Sequence, residues 1–166
     1  MRIESASGDG TSVRIYLPRQ DGHPDLAEAR QSGGESGVAA SSTQGRRILV
    51  VEDQEEVRAQ IVEALVEIGC DVIEAADGVA GLRLAETSGP LDLLITDVGL
   101  PGLNGRQVAE GARAAQTELP VLFITGYADK SLNTLWLAPN MQVLRKPFTL
   151  DELIAHVRSL LKAEVA

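Results

Sequence analysis

The chain has 166 residues, 24 of them acidic and 15 basic, for a formal net charge of −9. That balance argues against a nucleic-acid or anionic-membrane surface, which would need a basic face. The hydrophobic share of 44% excludes wholesale disorder, and with aromatics at 3% the core must be aliphatic.

The first stretch, RIESASGDGTSVRIYLPR, reads as two strands joined by a Gly-Asp-Gly turn. An isolated hairpin is marginal in water, so residues 1–18 are expected to belong to something larger. Residues 19–45 are rich in Gly, Ser, Ala, Gln and acids, with little apolar periodicity. They read as a flexible linker with a short helical turn around Pro24 to Arg30.

From residue 46 to residue 166 strands and helices alternate. RILVV is a continuous apolar strand, and in QEEVRAQIVEALVEIG the residues Val57, Ile61, Leu65 and Ile68 recur at helical spacing until Gly69. Cys70 follows in an apolar run and reads as a small core residue; alone, it makes no internal disulfide. DVIEA is a second strand, and a helix opened by Asp77 and closed by Gly89 follows it. LDLLIT, LPVLFIT and MQVLR are three further strands. GRQVAEGARAAQ forms the helix between the first two of these. The segment from Asp129 to Asn140, with Trp136 and Pro139, has poor helical periodicity. TLDELIAHVRSLLKAEV closes the chain as an amphipathic helix with Leu150, Leu153, Ile154, Val157 and Leu160/Leu161 on one face.

Five apolar strands separated by helices imply an α/β fold, a parallel sheet covered on both faces. Ligand chemistry in such sheets gathers beyond the carboxyl ends of the strands. Those ends carry Glu52-Asp53, Asp97, Thr125 and Arg145-Lys146-Pro147. Three converging acids repel one another and call for a cation, and a hard divalent ion with oxygen ligands and waters, Mg²⁺, suits them. Singly, Glu52-Asp53 also read as helix-capping acids, Asp97 as a brace for its turn, and Thr125 and Lys146 as ordinary strand-end residues. Their joint occurrence at four strand ends is what those readings do not explain.

ILVVEDQEEVR, LLITDVGLPGLNG, LFITGY and VLRKPF resemble the receiver domains of two-component response regulators, over Arg47 to about Lys162. The resemblance implies a flavodoxin-like (βα)₅ doubly wound sheet of order 2-1-3-4-5. It implies that Asp97 takes a phosphoryl group from a phosphohistidine. Asp53, Asp97 and the backbone carbonyl of Gly99 would ligate Mg²⁺, with Glu52 acting mainly through water. Thr125 would bond a phosphoryl oxygen, Lys146 would pair with the phosphorylated aspartate, and the bond before Pro147 would be cis. Phosphoryl transfer needs in-line positioning and charge neutralisation, which this set supplies.

Two positions depart from the family pattern. Val143 stands where the family often has an aromatic switch residue. FITGY resembles the "FATGUY" subgroup, so Tyr127 reads as the alternative reporter, as a screen of the phosphoryl group from water, or as a half-buried loop aromatic. The poorly periodic 129–140 segment leaves a homodimer through that face open. His23 and His156 lack the neighbours of a phosphorylated histidine and read as surface or packing residues.

The N-terminal stretch resembles the closing strands of a histidine-kinase ATP-binding domain, with Gly8, Gly10 and Thr11 in the turn. Kinase tail, linker and receiver in that order resemble a hybrid histidine kinase, without a complete kinase core in this chain. The expected partner is a histidine-kinase dimerisation and phosphotransfer domain or a histidine phosphotransferase, with no nucleic acid and no membrane contact by this segment. The expected location is cytoplasmic, on a parent kinase that can itself be membrane-attached. A stand-alone receiver acting by binding is the alternative. A degenerate receiver conflicts with the complete acid, Thr and Lys set. A Mg²⁺-dependent phosphohydrolase of the haloacid-dehalogenase type would want a second acid where Gly99 stands.

Overall fold

In strand β3 (Arg47–Val51), Ile48 and Val50 join one apolar cluster while Leu49 and Val51 join another. This is the period-2 alternation of a strand buried on both faces. The same division holds along β5 (Leu93–Asp97) and β6 (Val121–Thr125). Among the described residues, two helices pack on each face. Helices α1 (Glu55–Glu67) and α4 (Leu150–Lys162) supply Ile61, Leu65, Leu153, Val157, Leu160 and Leu161 to one cluster. Helices α2 (Gly78–Thr87) and α3 (Gly105–Ala115) supply Ala80, Leu84, Val108, Ala109 and Ala112 to the other.

The computed structural model describes residues 2–6, 10–14, 43–126, 137–138 and 140–162, the first two groups as backbone. With β4 (Asp71–Ala75) and β7 (Met141–Arg145), the sheet has the order β4-β3-β5-β6-β7, all neighbours parallel. Counted from β3, this is the flavodoxin-like order 2-1-3-4-5. Cys70 is buried beside these strands.

Local chemistry sets the element ends. Asp77 accepts a hydrogen bond from the Ala80 N–H at 2.8 Å and caps α2. Asn104 and Gln107 form a reciprocal capping box at the start of α3. Gly69 and Gly89 leave α1 and α2 with φ of 88° and 78°, a region that glycine adopts without a side-chain clash.

Two strand boundaries and one helix face differ from the sequence reading. Strand β5 begins at Leu93, because Leu91 pairs its N–H and C=O with the Gln116 side-chain amide. Strand β6 begins at Val121, after Pro120, which has no N–H for the ladder. Leu150 is 45% exposed and Ile154 only partly buried, so the core stripe of α4 is narrower than expected.

Ahead of β3, Thr43 to Gly45 form a turn packed against the end of α1. The buried Thr43 hydroxyl donates to the Ile68 carbonyl at 2.8 Å, and the Gly45 N–H donates to the Gly69 carbonyl at 2.8 Å. This turn lies at the amino-terminal edge of the sheet.

The backbone divides into two units, Met1–Glu35 and Ser36–Ala166. In the first, β1 (Arg2–Ala6) and β2 (Gly10–Arg14) pair antiparallel, with Ala6 opposite Gly10. Gly8, linker residues 19–42 with His23, Tyr127, and 128–136 and 139 of the weakly periodic segment lie outside the described residues. Among the described residues, no helix is long and apolar enough to cross a membrane.

Candidate functional site

Strand β5 lies between β3 and β6, and all five of its residues are buried. Its last residue, Asp97, is 7% exposed at the carboxyl edge of the sheet. Burying a carboxylate there is costly unless its oxygens are satisfied. Both are. Oδ1 accepts from the Gly99 N–H at 2.6 Å, and Oδ2 accepts from Lys146 Nζ at 2.6 Å.

Lys146 reaches the site from the end of β7. Its backbone N–H donates to the Thr125 carbonyl at 2.7 Å, which ties it to the end of β6. The bond from Lys146 to Pro147 is cis, as the resemblance implies. The ammonium also donates to Glu52 Oε2 at 2.8 Å, so one cation spans two acids.

Glu52 follows β3 and is 1% exposed; its Oε1 accepts from the Gln54 N–H at 3.3 Å. Burial raises the Glu52 pKa, and the hydrogen bond from Lys146 opposes this while the nearby Asp97 charge adds to it. For Lys146, burial pulls downward, but the hydrogen bonds and charges of Asp97 and Glu52 outweigh it and hold the ammonium above its usual range.

Asp53 is exposed, and among the described residues its carboxylate has no hydrogen-bond or ion-pair partner. One carboxylate oxygen from each of Glu52, Asp53 and Asp97 lies within 4.8 Å of the others. This all-oxygen set fits a hard divalent cation, with Asp53 available and Asp97 beside it. Glu52 and Asp97 both have their two oxygens engaged, Glu52 by Lys146 and Gln54 and Asp97 by Lys146 and Gly99, whereas Asp53 has neither.

Thr125 ends β6, buried, with its hydroxyl 3.3 Å from the Gly126 carbonyl. The structure therefore brings Glu52, Asp53, Asp97, Gly99, Thr125 and Lys146 to one edge of the sheet. Val143 is partly buried against the α2/α3 cluster. Tyr127 is not among the described residues. His156 lies 2.6 Å through Nδ1 from Gln142 Oε1, a tie between α4 and β7.

Two residues at the site escaped the sequence reading. A Cβ at Gly105 would stand 2.1 Å from the Asp97 carbonyl and 2.8 Å from Thr96 Oγ1, so only glycine lets α3 start against the acid's own backbone. Arg58 donates through Nη1 to the Glu52 carbonyl at 2.8 Å and through Nε to Glu74 at 3.2 Å. Its signal in the sequence was its isolation: it is the one basic residue in helix α1, which carries four glutamates.

Residues 48–158 match the response regulator receiver domain family. The chain is 30% identical over 169 residues to the sensor kinase CckA of Brucella abortus, covering 97% of this chain but only 18% of that protein's length. It is 36% identical over 120 residues to the response regulator receiver protein CpdR of Brucella abortus, covering 71% of this chain and 98% of that one. A crystal structure of the receiver domain from hybrid histidine kinase CckA superposes with a TM-score of 0.60 at 37% identity, over 69% of this chain and 98% of the other. With the sheet order, the acidic pocket and these matches together, the chain belongs to the response regulator receiver domain family of two-component signalling.

Proposed function

We propose that the chain accepts a phosphoryl group on Asp97 from a phosphohistidine, in a phosphorelay. The observation that carries this reading is Lys146 Nζ at 2.6 Å from Asp97 Oδ2, at the buried mouth of the sheet. An Asp97 carboxylate oxygen bonds to phosphorus as the P–N bond of the donor breaks. The imidazole leaves with that electron pair and takes up a proton from solvent. Bound Mg²⁺, held by Asp53, Asp97 and the Gly99 carbonyl, would supply charge neutralisation at the phosphoryl oxygens. Lys146 holds the same charge from the other side, and the Thr125 hydroxyl is placed to donate to a phosphoryl oxygen. Glu52 acts mainly through its ion pair with Lys146, with any contact to the cation passing through water. The two added charges then bias the loop beyond Thr125, with Tyr127, Val143 and Pro147 as switch candidates.

The donor in this reading is a histidine-kinase dimerisation and phosphotransfer domain or a histidine phosphotransferase. A shallow, mainly apolar pocket beside Lys146, lined by Val57, Gln60, Ile61, Phe148 and Leu150, offers such a partner a surface next to the acid. The similarity to the CckA sensor kinase extends over 97% of this chain, beyond the receiver. That supports a cytoplasmic hybrid-kinase segment, with residues 1–18 the end of an ATP-binding domain, 19–45 a linker and 46–166 the receiver. The match to 98% of the receiver protein CpdR favours the second reading, a receiver that works by binding a partner.

Acetyl phosphate with Mg²⁺, followed by intact mass measurement, tests the phosphoacceptor reading. The wild type should gain one labile phosphoryl group and Asp97→Asn none. A wild type that binds Mg²⁺ yet stays unmodified overturns it.

A further inference from the structure

We propose that Arg58 is a positioning residue for the divalent-cation site, acting on the peptide that carries Asp53. The inference rests on the reading of Asp53 and Asp97 as cation ligands and names a residue that this reading does not use.

Asp53 is exposed and its side chain has no partner among the described residues, so the placement of its carboxylate depends on its backbone. The turn that carries it lacks the usual local device. Gln54, the N-cap of α1, makes no side-chain capping bond. Instead, Arg58 folds back from the first turn of α1. Its Nη1 donates to the Glu52 carbonyl, the oxygen of the Glu52–Asp53 peptide, at 2.8 Å. Its Nε donates to Glu74 Oε2 on β4 at 3.2 Å. The Glu52 N–H donates to the Ala75 carbonyl of the same strand at 3.2 Å. The residue before Asp53 is thus held at both of its backbone polar groups, and one hold comes from a planar guanidinium that is itself anchored. An ammonium has no such fork and cannot fix two acceptors in one plane.

Charge and geometry predict opposite signs. A guanidinium near three acids repels an incoming cation, so its removal by charge alone would tighten Mg²⁺ binding. Glu74 offsets part of that charge, and the positional role predicts weaker binding. Outer contacts that orient metal ligands carry large effects on affinity, on the order of tenfold or more.

The test is calorimetric titration of Mg²⁺ into wild type, Arg58→Met and Arg58→Lys, with circular dichroism to establish folding. Phosphorylation by acetyl phosphate is followed at limiting and at saturating Mg²⁺. Arg58→Met keeps the stem and is expected to raise the Mg²⁺ Kd about tenfold. Its phosphorylation rate at saturating Mg²⁺ should stay near that of wild type. Arg58→Lys should behave like the Met variant, although it keeps the charge. An unchanged or lower Kd in Arg58→Met overturns the proposal, as does full rescue by lysine. Should Arg58→Met not fold, Glu74→Ala removes the anchor of the guanidinium and must raise the Kd for the proposal to stand. A wild type that binds no Mg²⁺ overturns the cation-site reading itself, before any variant is compared.

Discussion

Lys146 and Glu52 are separated by most of the domain in sequence, yet Lys146 Nζ lies 2.8 Å from Glu52 Oε2 while holding Asp97 at 2.6 Å. The lysine is shared, so neither acid is neutralised alone. Removing it leaves two buried carboxylates facing each other without a cation, and takes away a charge that the transferred phosphoryl group would meet. Lys146→Met is therefore expected to slow phosphorylation of Asp97 by about a hundredfold, the scale on which one preorganised electrostatic donor acts. Stopped-flow or mass-resolved time courses with acetyl phosphate measure this. A rate within a factor of about three of wild type would remove Lys146 from the reaction.

The raised pKa of Glu52 has a pH consequence with a definite sign. Burial is its main cause, so the folded state binds the proton more tightly than the unfolded chain does. As pH rises above the ordinary value of 4.5, the unfolded state ionises first and folding stability falls. Glu52→Gln has no such group. In metal-free buffer its melting temperature should gain on that of wild type as pH rises from 4.5 toward neutrality. A constant difference across that window would contradict the burial argument.

The close approach at Gly105 makes it a sensitive position. A methyl group there would meet the Asp97 carbonyl at 2.1 Å, and backbone cannot move aside as a flexible side chain does. Gly105→Ala should cost about 1–3 kcal/mol in denaturant unfolding. It should also displace the Asp97 backbone, so phosphorylation should fall beyond what the lost stability explains. A fully stable, fully active variant would mean that α3 can shift freely.

Leu153 and Leu150 separate core from surface on α4. Leu153 is fully buried and Leu150 is 45% exposed. Leu153→Ala is expected to cost about 2–5 kcal/mol and Leu150→Ala under about 1 kcal/mol, by chemical denaturation. Equal losses would place Leu150 in the core after all.

Much of this was legible in the sequence for a physical reason. A strand buried on both faces must be a continuous apolar run, so Ile48–Val51 and Leu93–Ile95 announce themselves, and the polar residues that end them mark the edge where the three acids gather. What stayed hidden were contacts between residues far apart along the chain. Arg58 reads as one charged residue on a helix until the fold brings Glu74 of β4 beneath it. Gly105 reads as the first residue of a helix until the Asp97 carbonyl appears against it. Leu150 fitted the apolar period, but it is the first residue of α4 and lies at the end of the core's reach. The tie between Lys146 and Glu52 is likewise one that no local pattern in the sequence shows.

The turn at Thr43 to Gly45 fixes where the polypeptide leading into the receiver is fastened: against Ile68 and Gly69, at the pole opposite the acids. The described residues that lead into β3 therefore enter at the far edge of the sheet from Asp97, and the acidic pocket is assembled without them.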